Sequence, residues 1–374
     1  MNRAVIIGAG KTGRGFIARL LAQQGIEIVF VDIDEVLINK LNISSKYCVH
    51  FFNNEAKKVE IENFKAYTWQ NADISDIEHI FISVGAGNLN DVGERLCKVL
   101  NKKKQYYIIG CENSTSTAKI LNNSINMKNV TISEAAVFCT TVEDEKLDIL
   151  SEDYPNLEVN AKLLKGYNLK IPSIKYIDDF SVLMKRKLYT YNAASSIIAY
   201  LGWLKGYSVY SQAANDREIS KILDMFYIHI NQSICKEYGC DIALQEEFAS
   251  LSKQKFCDKS IYDTVERNAR NPLKKLMSDE RIIMPMILMQ KHSFDCTISQ
   301  LTAAAAMVYA KFTSDASKSL NGGLGDLYEN ILIDICKLKN NTDNYVKIYD
   351  KAILLEEKLN RGYEICLYDF LVVK

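Results

Sequence analysis

The chain has 374 residues, enough for two domains that each bury a stable core. Lysine plus arginine equals aspartate plus glutamate, 46 against 46, which excludes a bulk field drawing nucleic acid or an acidic membrane surface and points to small-molecule partners. Ten cysteines without a C-x-x-C pair, most of them inside apolar runs such as "YYIIGCEN", suit reduced buried thiols better than disulfides.

The first half alternates short β-rich runs with amphipathic stretches. "AVIIGAG", "IEIVFVDID", "HIFISVGAG", "YYIIGCEN" and "NVTISEAAVF" are spaced as parallel strands joined by crossover helices. Such continuously apolar strands need both faces covered, so the expected fold is α/β with a mostly parallel, doubly wound sheet. From about Asp179 the pattern changes to long helical periodicity, interrupted only by Pro272 and Pro285, which predicts an all-α C-terminal domain. The expected domains are therefore 1–183 and 184–374, with a cleft between the lobes. The N-terminal apolar run is too short and glycine-interrupted for a signal segment, and no stretch reaches the ~20 apolar residues that span a bilayer. A soluble, cytoplasmic protein is expected.

"VIIGAGKTGRGF" places Gly8, Gly10 and Gly13 in G-x-G-x-x-G spacing, after a strand and at the start of a helix. Such a turn lets backbone approach a pyrophosphate, with the helix N-terminus and the flanking Lys11 and Thr12 facing the anion. The next strand ends in Asp32, about 20 residues on, where a carboxylate bonds a ribose 2′-hydroxyl and repels a 2′-phosphate. NAD is expected as cofactor, and NADP stays open because Lys11 or Arg14 lies near enough to accept a phosphate. "SVGAGN" brings Val84 and Gly85 to the carboxyl edge of a further cofactor-side strand, and "GCEN" brings Asn113 to the end of another, aimed at the cleft.

In "RKLYTYNAASS", Lys187, Asn192 and Ser195 fall within roughly 140° of arc on a regular helix. A lysine in a cleft beside a nicotinamide can exchange a proton during hydride transfer, and asparagine amides can hold the reacting oxygen. Spacing alone equally permits a surface lysine and an ordinary helix asparagine. The four histidines, His50, His79, His229 and His292, show no ligand spacing, so no metal is expected.

Four blocks, "GAGKTGRGFIARLLAQQGIEIVFVDID", "CEN", "KRKLYTYNAASSIIAYLG" and "DTVERNARNPLKKLMSDERIIMP", resemble the mannitol-1-phosphate 5-dehydrogenase family of polyol-specific long-chain dehydrogenases, in order along nearly the whole chain. The resemblance implies a Rossmann domain followed by a helical domain, no metal, and interconversion of a polyol and its ketose with NAD(P). By position it makes Lys187 the general base, Asn192 the carbonyl-polarising amide and Asn113 a second holder of the reacting oxygen. Ser195 stands where the family has a histidine. Phe138 and Cys139 stand where it carries an acid and an arginine, and Lys274 replaces a further arginine, while Arg267, Arg270 and Arg281 match. Ser195 gives up a side chain that can charge near neutral pH for one that donates a single hydrogen bond.

These departures imply an altered substrate pocket. The leading expectation is a ketohexose phosphate, such as fructose 6-phosphate, with Arg267, Arg270, Lys274 and Lys275 on the phosphate, although these four also read as solvated helix charges. One alternative is a nucleotide-activated ketose whose base stacks on Phe138. Another is a catalytically weak NAD-binding sensor. The resemblance also implies a monomer or weak dimer.

Overall fold

The computed structural model describes residues 3–52, 54–113, 116–143, 147–313 and 327–371. The chain divides into two compact units, Met1–Met184 and Lys185–Lys374.

Among the described residues, twelve strands build the first unit: β1 Arg3–Ile7, β2 Glu27–Asp32, β3 Tyr47–Phe51, β4 Asn54–Ile61, β5 Phe64–Thr68, β6 His79–Ile82, β7 Tyr106–Gly110, β8 Val130–Ala136, β9 Thr141–Glu143, β10 Ile149–Ser151, β11 Leu157–Asn160 and β12 Ile174–Ile177. Eight of them form one sheet in the order β12-β11-β8-β7-β6-β1-β2-β5. From β5 through β8 every pairing is parallel, then β11 runs antiparallel to β8. Side-chain alternation explains why these strands read as unbroken apolar runs. Ala4, Ile6, Ile28 and Phe30 join the core on one face, and Val5, Ile7, Val29 and Val31 join the core on the other.

A second sheet, in the order β4-β3-β10-β9, is a feature the sequence reading did not anticipate. β3 and β10 alternate buried with half-buried residues, as in Tyr47–Phe51, and β4 is mostly exposed, so one face stays solvated and the run never looks apolar. It packs on the helix that follows the glycine turn. A Cβ at Gly15 would meet Ile149 Cγ2 at 2.3 Å, so the absent side chain is what allows the approach.

The second unit is helical. Its central helix, Thr297–Phe312, is buried at every position from Thr297 to Ala310. Four successive alanines, Ala303–Ala306, leave room for neighbouring backbones, and Ala193–Leu204 and Asp343–Asn360 pack against this helix. No helix among the described residues is long and apolar enough to cross a membrane.

Candidate active site

In the first unit the chain leaves β1 at Ile7 and turns at Gly8, whose φ of +98° is accessible to glycine at little cost. The Gly8 N–H donates to the Val31 carbonyl at 2.9 Å, stitching the turn to β2. Gly13 lies directly beneath: a Cβ there would sit 2.0 Å from the Gly8 carbonyl oxygen. Around Gly10, by contrast, nothing lies within 4 Å of a Cβ position, so the turn opens outward at that residue. Asp32 closes β2, and its Oδ2 accepts the Ala9 N–H at 2.6 Å while Oδ1 accepts the Asp34 N–H at 3.0 Å. These groups border a cavity of about 230 Å³ lined by Gly8, Gly10, Asp32, Trp69, Val84 and Asn88. An open glycine turn, an adjacent fixed carboxylate and an apolar wall fit a dinucleotide. Lys11 is exposed and Thr12 half-buried at the start of the following helix.

Glu112 is a site residue that sequence reasoning passed over in favour of its neighbour Asn113. Its Oε1 accepts both the Val84 N–H at 2.6 Å and the Gly85 N–H at 2.7 Å. Gly85 has φ +86°, and Asn88 Nδ2 donates to the Val84 carbonyl at 2.7 Å, so the loop after β6 is pinned at three points. Burial raises the Glu112 carboxyl above the usual carboxylate range, opposed by those two backbone donors. The glutamate in "GCEN" was the available signal, but its partners lie 27 and 28 residues away.

Arg14 corrects one expectation. It is fully buried, with Nε donating to the Ala9 carbonyl at 2.6 Å and its other nitrogens engaging the Leu147 carbonyl and Glu143. A guanidinium occupied in this way is not a 2′-phosphate ligand. It ties the glycine turn to the smaller sheet instead.

In the second unit, Lys187 ends the helix Phe180–Lys187 and is 6% exposed. The following five residues, Leu188–Asn192, form a π-turn before the α-helix Ala193–Leu204. The Ala193 N–H bonds the Leu188 carbonyl, five residues back, which brings residues five apart onto one face. Lys187 and Asn192 are thereby closer in direction than the regular-helix arc allows, and Ser195 follows one α-turn later. The turn is braced from outside: Gln245, fully buried, donates to Thr190 Oγ1 and Asn231 Oδ1, both at 3.0 Å, and accepts from Arg186 at 2.7 Å. Asn192 and Ser195 are half-buried, and Tyr210 reaches the Ser195 carbonyl at 3.5 Å.

The basic residues expected on the phosphate separate by environment. Arg267 pairs with Asp263 at 2.9 Å, while Arg270 and Lys274 are exposed. Asn271 sits at φ +56° directly before Pro272, an unusual backbone state that turns the chain sharply between Arg270 and Lys275. Lys275 Nζ donates to the Asn268 carbonyl and lies 5.5 Å from the Tyr200 ring centre. Burial, reinforced by Arg281 and Arg270, lowers its ammonium to about 7. Phe138 is 7% exposed, its ring 5.9 Å from that of Tyr154, so it packs in the interior of the first unit and does not offer an open stacking face.

A doubly wound sheet with a glycine turn, an acid closing the second strand and a helical second unit is the build of a two-domain Rossmann oxidoreductase. The mannitol dehydrogenase Rossmann domain matches residues 2–151 and the mannitol dehydrogenase C-terminal domain matches residues 179–334. The chain belongs to the mannitol dehydrogenase family.

Among its relatives, the mannitol-1-phosphate 5-dehydrogenase of Thermoanaerobacter pseudethanolicus is 31% identical over 311 residues, covering 76% of this chain and 80% of that protein. The enzyme of the same name from Clostridium acetobutylicum is 29% identical over 312 residues, covering 76% and 81%. That of Buchnera aphidicola subsp. Schizaphis graminum is 28% identical, covering 91% and 95%. Among solved structures, Pseudomonas fluorescens mannitol 2-dehydrogenase in ternary complex with NAD and D-mannitol aligns with a TM-score of 0.73, covering 96% of this chain and 92% of that one. A substrate-free D-sorbitol dehydrogenase aligns at 0.72, covering 96% and 93%. Both are 12% identical, so they speak for the fold alone.

Proposed function

We propose that this oxidoreductase interconverts a ketohexose phosphate, fructose 6-phosphate or a close isomer, with its polyol phosphate, using NAD. The observation that carries the reading is the buried Lys187 set one π-turn from Asn192, in a chain whose relatives bear the name mannitol-1-phosphate 5-dehydrogenase. Bound NAD(H) supplies or takes the hydride at C2 of the sugar. In the reducing direction the Lys187 ammonium gives its proton to the former carbonyl oxygen, and in the oxidising direction the neutral amine takes it back. Asn192 donates an amide hydrogen to that oxygen and favours the state in which it carries negative charge. Gly8, Gly10 and Gly13 shape the turn for the pyrophosphate, with Lys11 and Thr12 beside it. Asp32 holds the ribose 2′-hydroxyl, and Val84 with Gly85, fixed by Glu112, forms the opposite wall.

A steady-state panel of fructose, fructose 6-phosphate and nucleotide-linked fructose with NADH and NADPH tests this. The highest kcat/KM is expected for fructose 6-phosphate with NADH. NADPH should be at least about tenfold poorer, because the Asp32 carboxylate repels a 2′-phosphate. Absence of turnover with every ketose phosphate overturns the proposal. Preference for the nucleotide-linked sugar would restore that alternative, which the burial of Phe138 leaves without its stacking surface. NADH binding without turnover of any sugar would favour a sensor.

Phosphate recognition is assigned to Lys275 with Arg270, Lys274 and Arg267 around it. Lys275 carries its charge only below about pH 7 in the unliganded protein. The substrate phosphate becomes a dianion above about pH 6, so the two charges coexist best between those values. KM for fructose 6-phosphate is therefore expected to rise as pH is raised from 7 to 9, with KM for free fructose unchanged across the same range. Lys275→Arg should flatten the profile, since a guanidinium stays charged. An identical pH dependence for both sugars would remove Lys275 from the phosphate.

A further inference from the structure

We propose that Cys48, His50 and Asp148 form a zinc site on the smaller sheet, separate from the dinucleotide turn. Cys48 and His50 are alternate residues of β3, so their side chains leave the same face, and both are half-buried. β10 runs parallel to β3 with Ile149 opposite Val49 and Leu150 opposite His50. That register carries Asp148, one residue before β10, to the position beside Cys48.

The carboxylate is already oriented. Asp148 Oδ1 accepts the Cys48 N–H at 2.8 Å, and Oδ2 lies 3.3 Å from His50 Nε2. One ligand atom from each residue, a sulfur, an imidazole nitrogen and a carboxylate oxygen, lies within 4.8 Å of the others. Zinc bonds of about 2.0 to 2.3 Å place tetrahedral ligands roughly 3.3 to 3.8 Å apart, so a side-chain rotation closes the set without moving backbone. Sulfur, nitrogen and oxygen together suit a borderline-soft ion such as zinc and disfavour magnesium or calcium, which take oxygen alone.

On the other side of β3, Glu60 of β4 stands opposite Cys48 and Lys58 opposite His50. Glu60 contacts Lys46 at 3.3 Å and can supply a fourth oxygen, whereas the Lys58 charge opposes a cation. Three protein ligands beside a lysine predict weaker binding than a closed four-ligand structural site. Linear spacing could not show the trio, because Asp148 is 98 residues from His50.

The site also touches the cofactor machinery through the backbone. Asp148 follows Leu147, whose carbonyl receives the Arg14 guanidinium that in turn holds the Ala9 carbonyl in the glycine turn.

Zinc titration by calorimetry and cobalt titration by absorbance on the full chain test the proposal. Zinc is expected to bind one to one with a micromolar or tighter Kd. Cobalt should show tetrahedral d–d bands and a thiolate charge-transfer band that Cys48→Ser removes. His50→Gln and Asp148→Asn should each weaken zinc at least about tenfold. Because Asp148 also holds the Cys48 N–H, His50→Gln, which leaves that bond in place, is the deciding variant. Absence of one-to-one binding in the wild type, survival of the charge-transfer band in Cys48→Ser, or wild-type affinity in His50→Gln overturns the site.

Discussion

Lys187→Met is expected to lower kcat by about 10²- to 10⁴-fold while leaving NADH affinity unchanged. Methionine keeps most of the buried stem volume and removes the proton carrier, so the variant separates chemistry from packing. The dinucleotide turn belongs to the other compact unit, and none of its hydrogen bonds described above involves Lys187. Single-turnover oxidation of NADH with fructose 6-phosphate, alongside a fluorescence titration of NADH, reads both quantities. A variant that keeps more than about a tenth of wild-type kcat has not lost its acid-base group, and the role assigned to Lys187 would then fall.

The second large effect concerns two glycines three residues apart that should fail in different ways. At Gly13 a Cβ would press into the Gly8 carbonyl at 2.0 Å, backbone against side chain, with no flexible end to give way. Gly13→Ala should therefore cost about 1 to 3 kcal/mol of stability and weaken NADH binding with it. At Gly10 the same methyl meets nothing within 4 Å, so Gly10→Ala should leave the thermal midpoint near wild type. Its methyl instead enters the space where the pyrophosphate is proposed to lie, and NADH affinity should fall at least about tenfold. Thermal unfolding and NADH titration of the two variants settle the matter. A stable Gly13→Ala, or a Gly10→Ala that binds NADH normally, contradicts the assigned geometry.

What the sequence disclosed follows from how local each feature is. The glycine turn and Asp32 were legible because a strand, a tight turn and a second strand lie within a few tens of residues and each demands particular residue types. The parallel sheet was legible because burial of both faces leaves continuous apolar runs. Glu112 was not, since its function is to accept two backbone N–H groups from a distant loop, and backbone donors carry no side-chain signature. The direction of Arg14 was hidden for a similar reason: its partners, Glu143 of β9 and Leu147 just before β10, belong to a stretch whose half-polar strands have no strong period. On the helix, regular-helix arithmetic gave the wrong angle between the residues at 187 and 192. The π-turn is stabilised by Gln245 and Asn231, more than 35 positions downstream of Thr190 in the chain.

That turn also constrains how the enzyme can be altered. A helix holding one surplus residue is a phase shift written into the backbone: everything from Ala193 onward is rotated relative to everything before Leu188. Substitutions between Leu188 and Tyr191 change side chains but preserve the phase. Removing a single residue from this stretch would replace the π-turn by a regular α-turn, with Lys187 and Asn192 four positions apart and still on one face. For redesign of substrate preference, the surplus residue can therefore be given up without separating Lys187 from Asn192 in direction, and exchanging Ser195 for histidine does not touch it.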